Sequence, residues 1–214
     1  NVNDSPVISS GNSATVAENT DTSTVLYTAT ATDIDVGDTI SYSLTGTDAS
    51  KFAIDASTGV VTLNTAADFE TQSSYSINVV ATDDSGVTAT ESDTQAVTIS
   101  VTDVNEAPEV STPLADISLN QGAVLDENLA ADFDDQDAGD SAVYTLVGAP
   151  SSLSMSSAGK LTGTLINADV GDHSITITCT DAAGLNVSDT FVLTVVNVND
   201  SPVISSGNSA TVAE

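Results

Sequence analysis

The sequence is short of almost everything that catalysis or nucleic-acid binding uses. It has no arginine and only two lysines, Lys51 and Lys160, against 31 acidic residues, for a net charge of −29. Such a chain repels polynucleotides and anionic membrane surfaces, so no nucleic-acid partner is expected. Membrane insertion is not expected either, because no run approaches the roughly 18–20 apolar residues of a span. Cys179 is the single cysteine, which excludes an intramolecular disulfide. A secreted domain stabilised without disulfides is unusual for animals and ordinary for bacteria. One histidine, one cysteine, two lysines and no GxSxG motif leave little beyond carboxylate chemistry, so an enzyme is not expected. Tryptophan is absent, and four Tyr and four Phe offer few of the exposed platforms that sugar sites use. No basic-then-apolar leader stands at residue 1, and the chain reads as a piece of something longer.

What is present is acid on a chain that can fold. The acids are 24 Asp and 7 Glu, and 40% of residues are hydrophobic. A poorly hydrophobic acidic chain would stay disordered; this one can bury a core. Its Val, Ile, Leu and Ala lie among many Thr and Ser, a mix that favours β-structure. The net charge opposes compaction unless something neutralises it. On a folded β-protein that points to metal cations.

The chain also repeats itself. Residues 1–18 and 197–214 are both NVNDSPVISSGNSATVAE, an offset of 196. A fixed period marks a repeat array, so the parent protein is expected to carry at least two copies of a 196-residue unit. That unit is itself double. TDIDVGDTISYSL at 32–44 resembles DDQDAGDSAVYTL at 134–146, ATDDSG at 81–86 answers CTDAAG at 179–184, and VTDVNEAP at 101–108 answers VVNVNDSP at 195–202. The expected domains are residues 1–104 and 105–198. Residues 199–214 would be a linker and the first strand of a further repeat, disordered or paired with a neighbouring molecule.

Short alternating runs separated by Gly, Asp, Asn and Ser predict about seven strands per half and no long helix. They are STVLYTATAT, TISYSL, GVVTLN, YSINVVAT and AVTISVT in the first half. In the second they are ADISL, AVYTLV, KLTGTL, HSITITCT and TFVLTVV. The fold class is therefore all-β, two tandem seven-stranded Greek-key β-sandwiches, with short Pro-bearing linkers stacking them end to end into a rod.

The order AE (17–18), DxD (33–35), DFE (68–70), ATDDSG (81–86) and TDVNEAP (102–108) resembles a cadherin repeat. The second half is similar to the dystroglycan-type cadherin-like variant of bacterial surface proteins, on GKLTGTLINADVGDHSITITCTDAAG and VLTVVNVNDSP. Two such domains in a 196-residue unit resemble the extender arrays of giant RTX-type bacterial biofilm adhesins. Calcium is the cofactor this implies. Ca²⁺ takes six to eight oxygen ligands, largely carboxylates. Asp33 and Asp35, Asp135 and Asp137, and Asp68 and Glu70 are each two apart, which at a strand end aims both carboxylates one way. Close carboxylates repel by about 1 kcal/mol per pair in water, and a divalent ion reverses that sign.

The resemblance places sites between domains. For the central junction it implies Glu18, Asp68 and Glu70, then Asp103, Asn105 and Glu106 of the linker, then Asp135, Asp137 and Asp181. Asn3, Asp4, Asp33, Asp35 and Asp83 would form half of a junction at the N-terminal side. At the C-terminal side the pattern departs: Gln121 stands where Glu18 would, NADVGDH replaces DFE, and Asn197 replaces Asp103. Asp169, Asn197, Asn199 and Asp200 remain there, with fewer ions or weaker binding expected.

Other residues read as structure. His173 aligns with Tyr75 and Cys179 with Ala81, both as packing positions. Tyr42 and Tyr144 occupy matching strand positions. The expected function is a calcium-rigidified spacer in an extracellular adhesin of a bacterial cell surface, serving adhesion and biofilm formation. Its partners would be neighbouring repeats of the same chain, and a monomer is expected in solution. The alternative is a calcium-dependent polysaccharide-binding module.

Overall fold

The computed structural model describes residues 3–35, 37–84, 91–137, 139–199 and 201–202. The expectation for residues 203–214 and the ligand candidate Asp200 lie outside these described residues. The chain divides into two units, residues 1–105 and 106–214.

In the first unit the strands are β1 (Val7–Ile8), β2 (Ser13–Ala17), β3 (Tyr27–Thr28), β4 (Ala31–Thr32), β5 (Thr39–Thr45), β6 (Phe52–Ile54), β7 (Val60–Leu63), β8 (Ser74–Asp84) and β9 (Ser92–Thr102). Period-two alternation builds the two long ones. Tyr75, Ile77, Val79, Ala81 and Asp83 of β8 face inward while their neighbours face out, and β9 does the same with Val97, Ile99 and Val101. One sheet runs β2-β9-β8-β5, with β2 parallel to β9. The other face is β3-β7-β6, with a separate β1-β4 pair. Val61, Leu63, Phe52 and Tyr27 meet Ile77, Val79 and Ile99 in a dry core, where Phe52 and Tyr75 stack edge to face at 5.3 Å.

The second unit repeats this plan. Its strands are β10 (Glu109–Val110), β11 (Ile117–Asn120), β12 (Val124–Asn128), β13 (Phe133–Asp134), β14 (Val143–Val147), β15 (Leu153–Met155), β16 (Lys160–Thr164), β17 (Gly171–Thr180) and β18 (Asn186–Val196). The sheets are β11-β18-β17-β14 and β12-β16-β15, with a β10-β13 pair. Strand β11 lies parallel to β18, as β2 does to β9. The core joins Leu125 and Leu161 to Ile175, Ile177, Phe191 and Leu193. The only helical segments among the described residues are short 3₁₀ turns at Ala49–Lys51, Leu129–Asp132 and Asn167–Asp169.

Both units are thus all-β sandwiches, as expected, with one refinement. STVLYTATAT reads as a single strand, but its hydrogen bonds change partner midway. Strand β3 pairs with β7 and β4 pairs with β1. Between them the Ala29 amide donates to Gly59 O at 2.8 Å, and the Ala31 amide donates to the Tyr42 hydroxyl at 2.9 Å. The opening strand is split the same way into β1 and β2, so in the first unit nine segments trace seven strand positions.

Candidate metal centres

Each unit carries an acidic loop at its leading end, where the linker arrives, and both loops are built alike. In the first unit Asp33 Oδ1 accepts the Asp35 amide at 2.8 Å, and Asp35 Oδ2 accepts the Asp4 amide at 2.8 Å. In the second, Asp135 Oδ1 accepts the Asp137 amide at 3.0 Å, and Asp137 Oδ2 accepts the Glu106 amide at 2.8 Å. The DxD pairs therefore lie in a bend, not at a strand end. An Asx turn brings the carboxylates together, where the sequence had suggested the pleat of a strand. Gly37 (φ 109°) and Gly139 (φ 95°) then reverse the loop in a conformation that favours glycine.

That reversal recruits acids that the pairwise spacing did not single out. Asp38 joins Asp33 and Asp35 in one group, and Asp140 joins Asp135 and Asp181 in another; in each group the carboxylate oxygens lie within 4.8 Å of one another. The repeated DxDxGD in both halves was the signal for them. Beneath the first loop Asp83, 2% exposed, accepts from Asn3 Nδ2 at 2.8 Å and from the Glu91 amide at 2.9 Å. Asp181 of the second, 6% exposed, accepts the Gly184 and Leu185 amides at 2.6 and 2.7 Å. Desolvation, and then the charges of Asp35, Asp33, Asp83 and Asp84, push the Asp38 carboxyl above the ordinary carboxylate range.

The trailing end of the first unit holds a third group, Glu18, Asp68 and Glu70. Glu18 ends the β2 run and is 4% exposed. Its Oε1 accepts the Val104 amide at 2.7 Å and its Oε2 the Phe69 amide at 2.9 Å. One carboxylate thus ties the linker to the DFE turn. Asp68 accepts the Thr71 amide and hydroxyl, at 2.8 and 2.9 Å, and these two bonds hold its carboxyl below the ordinary range. Asp103 and Asn105 are exposed beside Val104.

These donor sets fit a hard cation. All are oxygens, no imidazole or thiol belongs to any group, and Asp33 Oδ2, Asp137 Oδ1 and Asp140 Oδ2 are buried atoms that accept no hydrogen bond. A buried carboxylate oxygen without a donor is costly, and a divalent ion is the partner that relieves the cost for several at once.

Comparison with known proteins agrees with this architecture. Residues 12–102 match the model of the cadherin domain and residues 107–196 that of the "Putative Ig domain". Human protocadherin Fat 4 is 35% identical over 105 residues, 48% of this chain and 2% of that protein. Human protocadherin Fat 1 is 29% identical over 199 residues, 87% of this chain and 4% of that protein. The crystal structure of mouse cadherin-23 EC22–24 superposes with a TM-score of 0.66 at 27% identity, covering 91% of this chain and 65% of that one. In fold, the two units are tandem cadherin-like β-sandwiches. The chain spans only a small fraction of its curated relatives.

The trailing end of the second repeat differs from that of the first. Gln121 Oε1 accepts the Val198 amide at 3.4 Å, the place Glu18 takes for Val104. Asn197 and Asn199 are exposed. Asp169, 5% exposed, closes the 3₁₀ turn: its Oδ2 accepts the Ile166 amide at 2.7 Å and the Ser152 hydroxyl at 2.6 Å. Among the described residues it joins no group of three acids. Burial raises its carboxyl, but Ile166, Ser152 and His173 together outweigh this and hold it below the ordinary range. A depressed folded value stabilises the protein above the unfolded value of 3.8, and that stability is lost as pH falls through the folded value. Thermal melts in chelator should therefore fall more steeply below about pH 4 for the native chain than for Asp169→Asn; parallel curves would refute the capping role.

The remaining singular residues pack. Cys179 is 1% exposed in the second core, where burial raises its thiol, and burial with the Cys179 contact pushes Tyr144 to about 12. Tyr144 stacks edge to face on Phe133 at 5.7 Å. His173 Nε2 lies 2.7 Å from Asp169 O, which orients the turn.

Proposed function

We propose that these repeats are a calcium-stiffened spacer of an extracellular adhesin on a bacterial cell surface, of the giant RTX type that builds biofilms. The observation that carries this reading is the set of matched all-oxygen acid groups where the linkers meet the repeats, with buried carboxylate oxygens lacking donors. In the proposal, Glu18, Asp68, Glu70, Asp103 and Asn105 of the first repeat act with Glu106, Asp135, Asp137 and Asp181 of the second around shared calcium ions. Asn3, Asp4, Asp33, Asp35 and Asp83 would do the same with a preceding repeat. Bound calcium supplies positive charge to carboxylates that otherwise repel. Glu18 positions the linker through Val104, and Asp137 does so through the Glu106 amide.

A bacterial origin is supported by the identical 18-residue segments and by the absence of a disulfide in an acidic, extracellular-type repeat. Copying lengthens a spacer, whereas a catalytic module gains little from an identical neighbour. The polysaccharide-binding alternative is weakened by the aromatics. All four Tyr and four Phe are described, and none is exposed.

The mechanism is a population shift. Calcium binds the ordered linker better than the loose one and so favours a stiff array. Small-angle scattering of the whole chain should show a larger, sharply defined maximum dimension in calcium and a broad flexible distribution in chelator. Identical curves would sink the spacer mechanism.

A further inference from the structure

We propose that the trailing end of the second repeat is an apolar docking surface for the leading end of the first repeat of the next copy. The inference goes beyond the calcium reading and does not draw on it. At the trailing end Ile166, Val170 and Val196 are exposed. The 3₁₀ turn that Asp169 closes sets Ile166 and Val170 at its two ends. Gly171, next to Val170, pairs with Val195, next to Val196. At the leading end of the first repeat Ile34 is 77% exposed. With Val7, also exposed, it lines an open groove of about 500 Å³ that includes Asp4 and Thr32.

Single exposed apolar residues are ordinary. These are set apart by what stands at the matching positions of the other repeat. Ala67 O accepts the Asn19 amide as Leu165 O accepts the Gly122 amide, which aligns the two trailing turns. Asp68 then answers Ile166, and Gln72 answers Val170. Thr102 O accepts the Glu18 amide and Val196 O the Gln121 amide, so Thr102 answers Val196. At the leading ends Val7 pairs with Thr32 as Glu109 pairs with Asp134, so Glu109 answers Val7. Gln136 answers Ile34 within the DxD. The trailing end of the first repeat and the leading end of the second are thus polar at these positions. The trailing end of the second and the leading end of the first are apolar.

The sequence repeat brings the two apolar ends together. Residues 197–202 repeat 1–6, so the next copy's Val7 stands seven positions after Val196. Seven positions span at most about 25 Å. Two or three aliphatic side chains on each side fall far short of the roughly 1,200 Å² that a stable interface between separate molecules buries. Across a short linker the same contact is intramolecular, at an effective concentration of about millimolar. That favours the following repeat over a separate molecule as the occupant. Asp33 and Asp35, on either side of Ile34, keep their carboxylates for an ion, so apolar contact and metal act on one linker through different groups.

The test uses the chain joined to itself. Because residues 197–214 repeat 1–18, continuing residue 214 with residues 19–214 gives two full units with no new sequence. Ile34→Cys in the second copy is combined in turn with Ile166→Cys and with Val170→Cys in the first, and disulfide closure under mild oxidant is timed. The control combines the same first-copy changes with Thr45→Cys in the second copy, exposed at the end of β5 away from the acid loop. The buried Cys179 is common to all variants. At least one Ile34→Cys combination is expected to close about tenfold or more faster than its control, because closure needs Cα atoms within about 7 Å. Adding Val7→Glu to the second copy, the residue that Glu109 supplies in the second repeat, is expected to slow that closure about tenfold. Closure at the control rate in both combinations overturns the proposal, as does closure that Val7→Glu leaves unchanged. Disulfides formed mainly between molecules overturn it in favour of association of separate chains. The series is run in calcium and in chelator: equal closure in the two media counts against calcium at this linker and leaves the apolar contact standing.

Discussion

Calcium at about a hundredfold over its dissociation constant should raise the melting temperature of the first repeat by about 10–20 °C relative to chelator. One site at that excess contributes about 2.7 kcal/mol, and a domain near 100 residues gains about 4–8 °C per kcal/mol. Extracellular calcium modules bind in the range of about 0.1–1 mM, so roughly 10 mM calcium is enough to approach the upper figure. The specificity of the shift matters as much as its size. A chain with a net charge of −29 is stabilised by any salt, because screening weakens self-repulsion. Sodium at matched ionic strength measures that component. Magnesium measures another, since it demands octahedral geometry and sheds water reluctantly. The acid groups, with buried carboxylate oxygens lacking donors, call for a larger, more flexible ion. Calcium should therefore exceed both controls by most of the shift; a melting curve that follows ionic strength alone would refute a bound ion.

The long strands were legible because alternation survives in them. Ile77, Val79 and Ala81, or Ile175, Ile177 and Cys179, fall inward at every second position, and the runs are long enough to show it. Strands β6 and β15 are three residues each, too short for a period. Strand β12 reads VLDEN, four of whose five positions are exposed, so its sequence looks like a loop although it pairs with β16 along its whole length. The site was legible in its parts and not in its assembly. Spacing identified Asp33, Asp35, Asp135 and Asp137 but attributed their convergence to a strand. It passed over Asp38 and Asp140, which arrive through the glycine reversal. The turn-closing role of Asp169 was invisible, because one of its two partners, Ser152, comes from a loop distant in sequence.

Glu18 allows the structural and metal-binding roles of one carboxylate to be separated. Replacing it with alanine strands the Phe69 and Val104 amides. Hydrogen bonds to a charged acceptor contribute about 1.5–3 kcal/mol each, so Glu18→Ala should cost about 3 kcal/mol or more in chelator, less whatever is regained by removing one charge from beside Asp68 and Glu70. Glu18→Gln is a different experiment. Gln121 already holds Val198 with an amide oxygen at the matching position, so glutamine can keep the linker bond while losing the charge. In chelator the Gln variant should melt close to the native chain, because the lost charge-assisted bond is offset by relief of repulsion. In calcium the order changes: the native chain gains its full shift, the Gln variant a small part of it, and the Ala variant almost none. Urea denaturation of the three chains, each with and without calcium, reads all of these. A Gln variant that kept the full calcium shift would show that Glu18 only braces the linker, leaving the ion to Asp68 and Glu70. A Gln variant as unstable in chelator as the Ala variant would show that the charge itself is what holds Val104.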